Sequence, residues 1–161
     1  MAYVILALRV LMGAMLVIAG VLKALDGPAR TVAFVAGYRI LPEALVRPLG
    51  VALPYLEIFL GLYLILGLFT IVAARVASAQ FVVFAIAVGS LVVRGIAADC
   101  GCFGSAVPTP PSWGHVAADL GLAAVAALVA WRAPGAFAVD RLLGIGVDAS
   151  GPASLGLERS N

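Results

Sequence analysis

The stretch Ile71-Val-Ala-Ala-Arg-Val-Ala-Ser-Ala-Gln-Phe-Val-Val-Phe-Ala-Ile-Ala-Val-Gly-Ser-Leu-Val-Val93 decides the fold. It carries a single charge, Arg75, near its start, is closed by Arg94, and exceeds the ~20 apolar residues needed to cross a hydrocarbon core ~30 Å thick. Working outward, Pro48 to Thr70 holds only Glu57, and Ala2 to Leu22 is interrupted only by Arg9 and ends at Lys23. Ser112 to Trp131 has His115 and Asp119 early in it and is closed by Arg132. The spacing predicts four spans, at about residues 2–22, 48–70, 71–93 and 112–131. Composition agrees, because the 161 residues are 64% apolar and 11% charged with a mean hydropathy of +1.16, against roughly 45–50% and ~25% in a soluble domain. Disorder, a disulfide-rich secreted framework and a collagen-like fibre are excluded. Ten basic and eight acidic residues, net +2, are too few and too scattered for a nucleic-acid surface.

The expected fold is all-α, an integral membrane four-helix bundle over residues 1–132, with a poorly ordered Gly, Ala and Ser-rich tail over 133–161. A signal peptide is the alternative for the first segment. Its apolar run is too long, no Lys or Arg precedes it, and Lys23-Ala-Leu-Asp lacks small residues at a cleavage spacing, so a retained helix is the better reading. Four helices place both termini on one face and loop 1 (Lys23 to Arg47) and loop 3 (Arg94 to Pro111) on the other. Loop 1 contains Thr31-Val-Ala-Phe-Val-Ala-Gly-Tyr-Arg-Ile-Leu41, too apolar for a solvated linker and too short to span. It reads as an interfacial or re-entrant cap over the bundle.

Both cysteines lie in Asp99-Cys100-Gly101-Cys102-Phe103-Gly104. A core role does not suit a pair flanked by Asp and Gly in a turn-forming loop. A structural zinc site needs two further ligands, and the one histidine, His115, would have to be joined by Asp99 or Asp119. No metal is expected. Redox chemistry fits the spacing better: residues two apart can be bridged, but the small ring is tight and needs unusual backbone angles, which Gly101 and Gly104 supply. Closing so short a loop removes little unfolded-state entropy, so the pair reads as an exchangeable dithiol rather than a staple. Pro110-Pro111-Ser112 marks a helix start with Ser112 as N-cap, a positive end that would favour a thiolate. His115 and Asp119 are spaced i, i+4, an arrangement suited to a proton shuttle; His115 as an ordinary interfacial residue stands beside that reading.

Charges inside spans cost from about 2.5 kcal/mol and mark function or pairing. Glu57 and Asp119 enter from the loop 1 and loop 3 face, where Lys23 and Arg94 end their helices. The structural expectation is that Lys23 or Arg94 snorkels inward to neutralise Glu57. The functional one is that Glu57 or Asp119 relays a proton. Arg9 is expected to snorkel to its own interface, with no function.

Ala19-Gly-Val-Leu-Lys23, Leu53-Pro-Tyr-Leu-Glu57 with Gly61, and Asp99-Cys-Gly-Cys-Phe-Gly104 together resemble the DoxX-like and MauE (methylamine utilisation protein E) group of four-helix membrane proteins, over about residues 3 to 132. The last run looks specific to the MauE-like, redox-associated branch. The resemblance implies thiol–disulfide chemistry with a thioredoxin-like partner, and, in the methylamine branch, maturation of a disulfide-rich subunit. By position, Cys100 and Cys102 match the family dithiol, and Lys23 and Glu57 its intramembrane polar positions. The leading expectation is a membrane thiol–disulfide oxidoreductase or electron relay. A quinone acceptor in the bundle enters by analogy with other four-helix disulfide-generating membrane proteins; no sequence motif marks its site. The alternatives are a non-catalytic membrane scaffold for a redox partner and a small transporter. Lys23, Arg30, Arg39, Arg47 and Arg94 bias loops 1 and 3 slightly toward the cytoplasm, whereas a disulfide persists only outside it. The expected placement is the plasma membrane with the cysteine loop on the periplasmic or extracellular face.

Overall fold

The computed structural model describes residues 2–96, 98–99, 101, 104–106, 109–132 and 137–144. Along them run α1 (Ala2–Asp26), α2 (Pro28–Gly37), α3 (Glu43–Leu66), α4 (Thr70–Arg94), a single 3-10 turn (Gly104–Ala106), α5 (Trp113–Arg132) and a short α6 (Val139–Leu142). α1, α3, α4 and α5 are long and apolar enough to cross a bilayer, and the protein is a multi-pass membrane helical bundle. Their outer faces present Leu11, Phe59, Val83, Ile86 and Val93, exposed as lipid-facing side chains are.

The helix boundaries differ from the charge-and-proline reading for physical reasons. α1 runs through Lys23 to Asp26, because a charge does not break a helix; Gly27, at φ 85, followed by Pro28 at the start of α2, does. α3 begins at Glu43 rather than Pro48, since Pro42 already sets its entry and both Pro48 and Pro54 are carried inside the helix. Membrane helices tolerate internal proline where neighbours re-satisfy the freed backbone groups. The turn into α4 is Gly67 to Phe69, both left-handed (φ 69 and 48).

Lipid tails are as apolar as leucine, so helices associate in a bilayer by close packing of small residues and by interhelical hydrogen bonds. α4 and α5 share one of the two most extensive interfaces, to which Ala73, Ala74, Ala77, Ala123 and Ala126 contribute buried surface. There Ser78 Oγ donates to the Ala123 carbonyl at 2.9 Å. α1 and α3 share the other, and their backbones nearly touch. A Cβ on Gly13 would lie 2.7 Å from the Gly61 carbonyl oxygen, and one on Gly20 would lie 2.6 Å from the Pro54 carbonyl oxygen. Leu16, Leu60, Leu64, Phe81 and Val129 fill the centre.

α2 is the cap expected in loop 1, a ten-residue helix only ~15 Å long and thus too short to span. It packs on the first turns of α3, where a Cβ on Gly50 would lie 2.6 Å from Val32 Cα. Exposed Arg94, at the end of α4, donates from Nη1 to the Tyr38 carbonyl at 2.9 Å and ties the last turn of α2 down.

Within the stretch expected to be a tail, residues 137–144 dock at the opposite end. Asp140 accepts from the Phe69 and Thr70 amides at 2.7 and 2.8 Å and caps α4. Arg9, expected to snorkel to its own interface, reaches that end but is 0% exposed there: it donates from Nη2 to the Phe137 carbonyl at 3.2 Å, with Asp140 as the nearby opposite charge. The reason is coverage: Gly67 and Ala138 close over the guanidinium. Residues 133–136 and 145–161 of that stretch lie outside the described residues.

Candidate functional site

Gly20 allows α1 to approach α3 so closely that Lys23, one turn further on, lands on Glu57, one turn past Pro54. Lys23 Nζ lies 2.6 Å from Glu57 Oε1, with the two side chains 2% and 1% exposed. A lone buried charge would cost several kcal/mol; here each is answered by the other. Gln80, near the middle of α4, donates from Nε2 to the same Oε1 at 3.3 Å. The ammonium also sits 5.4 Å from the centroid of the Phe84 ring. Glu57 Oε2, Gln80 Oε1 and, on α5, Asp119 Oδ2 are buried without a hydrogen-bond partner. Of the two cations expected to neutralise Glu57, Lys23 does so, and Arg94 faces the surface at α2.

Three residues after Lys23, Asp26 holds the loop that carries the cysteines. Its Oδ2 accepts from the Ser105 amide at 2.6 Å, and its Oδ1 pairs with the Ser105 hydroxyl. Gly104 is buried against this clasp at φ 61, and a Cβ there would collide with the Asp26 carboxylate. Gly101 also adopts positive φ, 66°, accepts from the Gly104 amide at 3.3 Å, and lies where a Cβ would come within 3.2 Å of the Phe34 ring of α2. Asp99 is exposed. Cys100 and Cys102 themselves lie outside the described residues. Among the described residues no three His, Cys, Asp or Glu side chains gather to hold a metal.

Ser112 receives the His115 and Val116 amides on its carbonyl, and its hydroxyl shares a 2.8 Å hydrogen bond with His115 Nδ1. That nitrogen is therefore engaged at the start of α5, while Asp119, one turn on and 8% exposed, turns into the bundle.

Between α2, α3 and α4 lies a cavity of about 330 Å3. Leu53, Leu56, Phe34 and Phe84 supply walls, Lys23 and Thr31 the inner side, and Gly101 part of the rim. Tyr38 lines it as well; burial first, then the negative charges of Asp119 and Glu57, push its phenol up to about 12, so it stays protonated at neutral pH.

Gln80, Asp26, Thr31 and Tyr38 are absent from the sequence-derived set. Gln80 carries a visible signal, a lone amide in an otherwise apolar stretch of α4, and Asp26 stands one helical turn from Lys23. Thr31 and Tyr38 carry none, because only the folding of α2 over the bundle brings them to the cavity.

The sequence profile of the family described as Methylamine utilisation protein MauE matches residues 1–132. The chain is 36% identical over 119 residues to the Methylamine utilization protein MauE of Methylorubrum extorquens, covering 73% of this chain and 64% of that relative's length. It is 34% identical over 134 residues to the protein of the same description from Paracoccus denitrificans, covering 83% and 72%. A third, from Methylophilus methylotrophus, is 41% identical over 69 residues, 42% of this chain and 36% of the relative. No solved structure matches the chain.

Proposed function

Because the chain belongs to the MauE family, we propose that it is a membrane thiol–disulfide redox protein in which Cys100 and Cys102 cycle between dithiol and disulfide in exchange with a thioredoxin-like partner or a disulfide-rich client. The names of its relatives connect this work to methylamine utilisation. The exchange balances as a two-electron transfer. The thiolate of one cysteine attacks the partner's disulfide and releases one partner thiol; the second cysteine then resolves the mixed disulfide, leaving the partner reduced and the Cys100–Cys102 pair oxidised. The reverse sequence oxidises the partner. The cysteine loop is placed on the outer face of the plasma membrane, where a disulfide survives.

The observation that carries this reading is the backbone on either side of Cys102: Gly101 and Gly104 both hold left-handed angles, φ 66 and 61. Such angles serve a tight Cys-Gly-Cys loop, and the Asp26–Ser105 clasp anchors it to α1. Neither feature is needed to join two spanning helices.

The test is a resolving-cysteine trap. A Cys102→Ser chain expressed with the rest of the host's machinery is expected to accumulate a reducible, intermolecular mixed disulfide that the Cys100→Ser/Cys102→Ser chain does not form. If the double variant leaves the redox state of partner and client disulfides unchanged, the chain is a scaffold and the redox reading fails.

A further inference from the structure

The cavity between α2, α3 and α4 has no role in thiol exchange with a soluble partner, yet it is built as a ligand site. α3 and α4 join through the short turn Gly67 to Phe69, pack on each other far less than on α1 and α5, and leave a space lined by both helices. The space takes its walls from the middle of α3 (Leu53, Leu56) and the second half of α4 (Val83, Phe84), under the lid of α2. At about 330 Å3 it lies in the range of small-molecule pockets, ~300–1,000 Å3. Leu56 and Val83 are exposed on the bundle's outer surface as well as lining it, so it opens sideways to lipid.

We propose that this cavity binds a lipid-soluble quinone, with Lys23 donating a hydrogen bond to one quinone oxygen and the ring lying among Phe34, Phe84 and Tyr38.

Three features select this class. The single charged residue on the wall, Lys23, is already balanced by Glu57 at 2.6 Å, so an anionic headgroup gains little there. A neutral oxygen acceptor can use the donors of the ammonium that Glu57 leaves over. Three aromatic rings in the lining, Phe34, Tyr38 and Phe84, favour a flat ring over a saturated chain. The third feature is position, since Gly101, the residue between the two cysteines, forms part of the rim.

The inference deepens the proposed redox function and, for its electron transfer, rests on it. The balance is complete within the two: the cysteines lose two S–H bonds and gain one S–S bond, and two electrons and two protons pass to the quinone oxygens to give the quinol. Lys23, the one charged residue on the wall, would stabilise the oxygen that gains charge.

The full chain in nanodiscs, photolabelled with an azido-substituted short-chain ubiquinone and mapped by peptide mass spectrometry, tests the site. Labels are expected on α2, α3 and α4 beside the cavity, displaced by decylubiquinone. Ala87→Phe, which fills the cavity without touching the ion pair, should reduce labelling at least tenfold while the helical spectrum and melting are retained. Lys23→Met should weaken it by a similar factor if it folds. Labelling that survives Ala87→Phe, or that decanol displaces as well as decylubiquinone does, makes the cavity an acyl-chain slot and overturns the proposal. The Cys100→Ser/Cys102→Ser chain separates the two readings. Undiminished labelling there, with quinol formed only by the reduced wild-type chain, supports both. Labelling without any quinol from the reduced wild type keeps the site and removes the dithiol as its donor. Mixed disulfides with no labelling keep the redox function and remove the site.

Discussion

Lys23 and Glu57 are each affordable in the bundle only because of the other. Glu57→Gln leaves the ammonium facing a neutral amide, and the expected loss of stability is about 3–5 kcal/mol. Lys23→Met combined with Glu57→Gln removes both charges and should recover most of it. Thermal unfolding in detergent, read as a double-mutant cycle, checks the coupling; additive losses would mean that the two side chains do not depend on each other. Gly104 answers to a different constraint. At φ 61 against the Asp26 carboxylate, Gly104→Ala combines left-handed strain of about 1–2 kcal/mol with a collision, and it should speed thiol labelling of the loop by releasing the Ser105 clasp. Tyr38 supplies a pH signature. Its phenol is held near 12 in the folded chain against an ordinary 10.0, so the unfolded chain loses that proton first as pH rises. Stability should therefore fall between pH 10 and about 12, and the fall should be smaller in Tyr38→Phe, measured by melting temperature at pH 9 and pH 11.

At the scale of elements, the sequence is informative wherever one local property suffices. Uninterrupted apolar length reveals four spans, and a charge inside a span marks Glu57, Asp119 and Lys23 as residues to examine. It misleads where a local signal has two structural meanings. Proline starts α2 but rides inside α3, and a charge ends the apolar run at Lys23 without ending the helix. Pairings between distant segments leave no local mark. Nothing in Val139-Asp-Arg-Leu announces that Asp140 caps α4 from seventy residues away, or that the same segment covers Arg9. Asp140→Ala should cost about 0.5–2 kcal/mol through the lost cap. A chain ended after Arg132 should lose more, because Arg9 then also loses its cover; melting temperatures of the two variants order the effects. Equal melting of the truncated and full chains would show that the docked segment contributes nothing.

At the scale of the molecule, the parts share one end of the bundle. The α1 and α3 backbones close on each other through Gly13, Gly20 and Gly61, and that contact delivers the ion pair. The same end of α1 supplies Asp26 to hold the cysteine loop, and α2 folds across to roof the cavity and meet Gly101. The Asp26–Ser105 clasp, a buried polar pair and a lipid-facing cavity are thus neighbours around residues 20–38. The proposed function needs Cys100 and Cys102 to form a reversible pair on the outer face of the membrane. Treating intact cells with a membrane-impermeant maleimide, before and after an impermeant reductant, measures sidedness and redox state together. Little labelling of the untreated protein and labelling of both cysteines after reduction are expected. Labelling of both without reductant, or none until the cells are permeabilised, would contradict the proposed function.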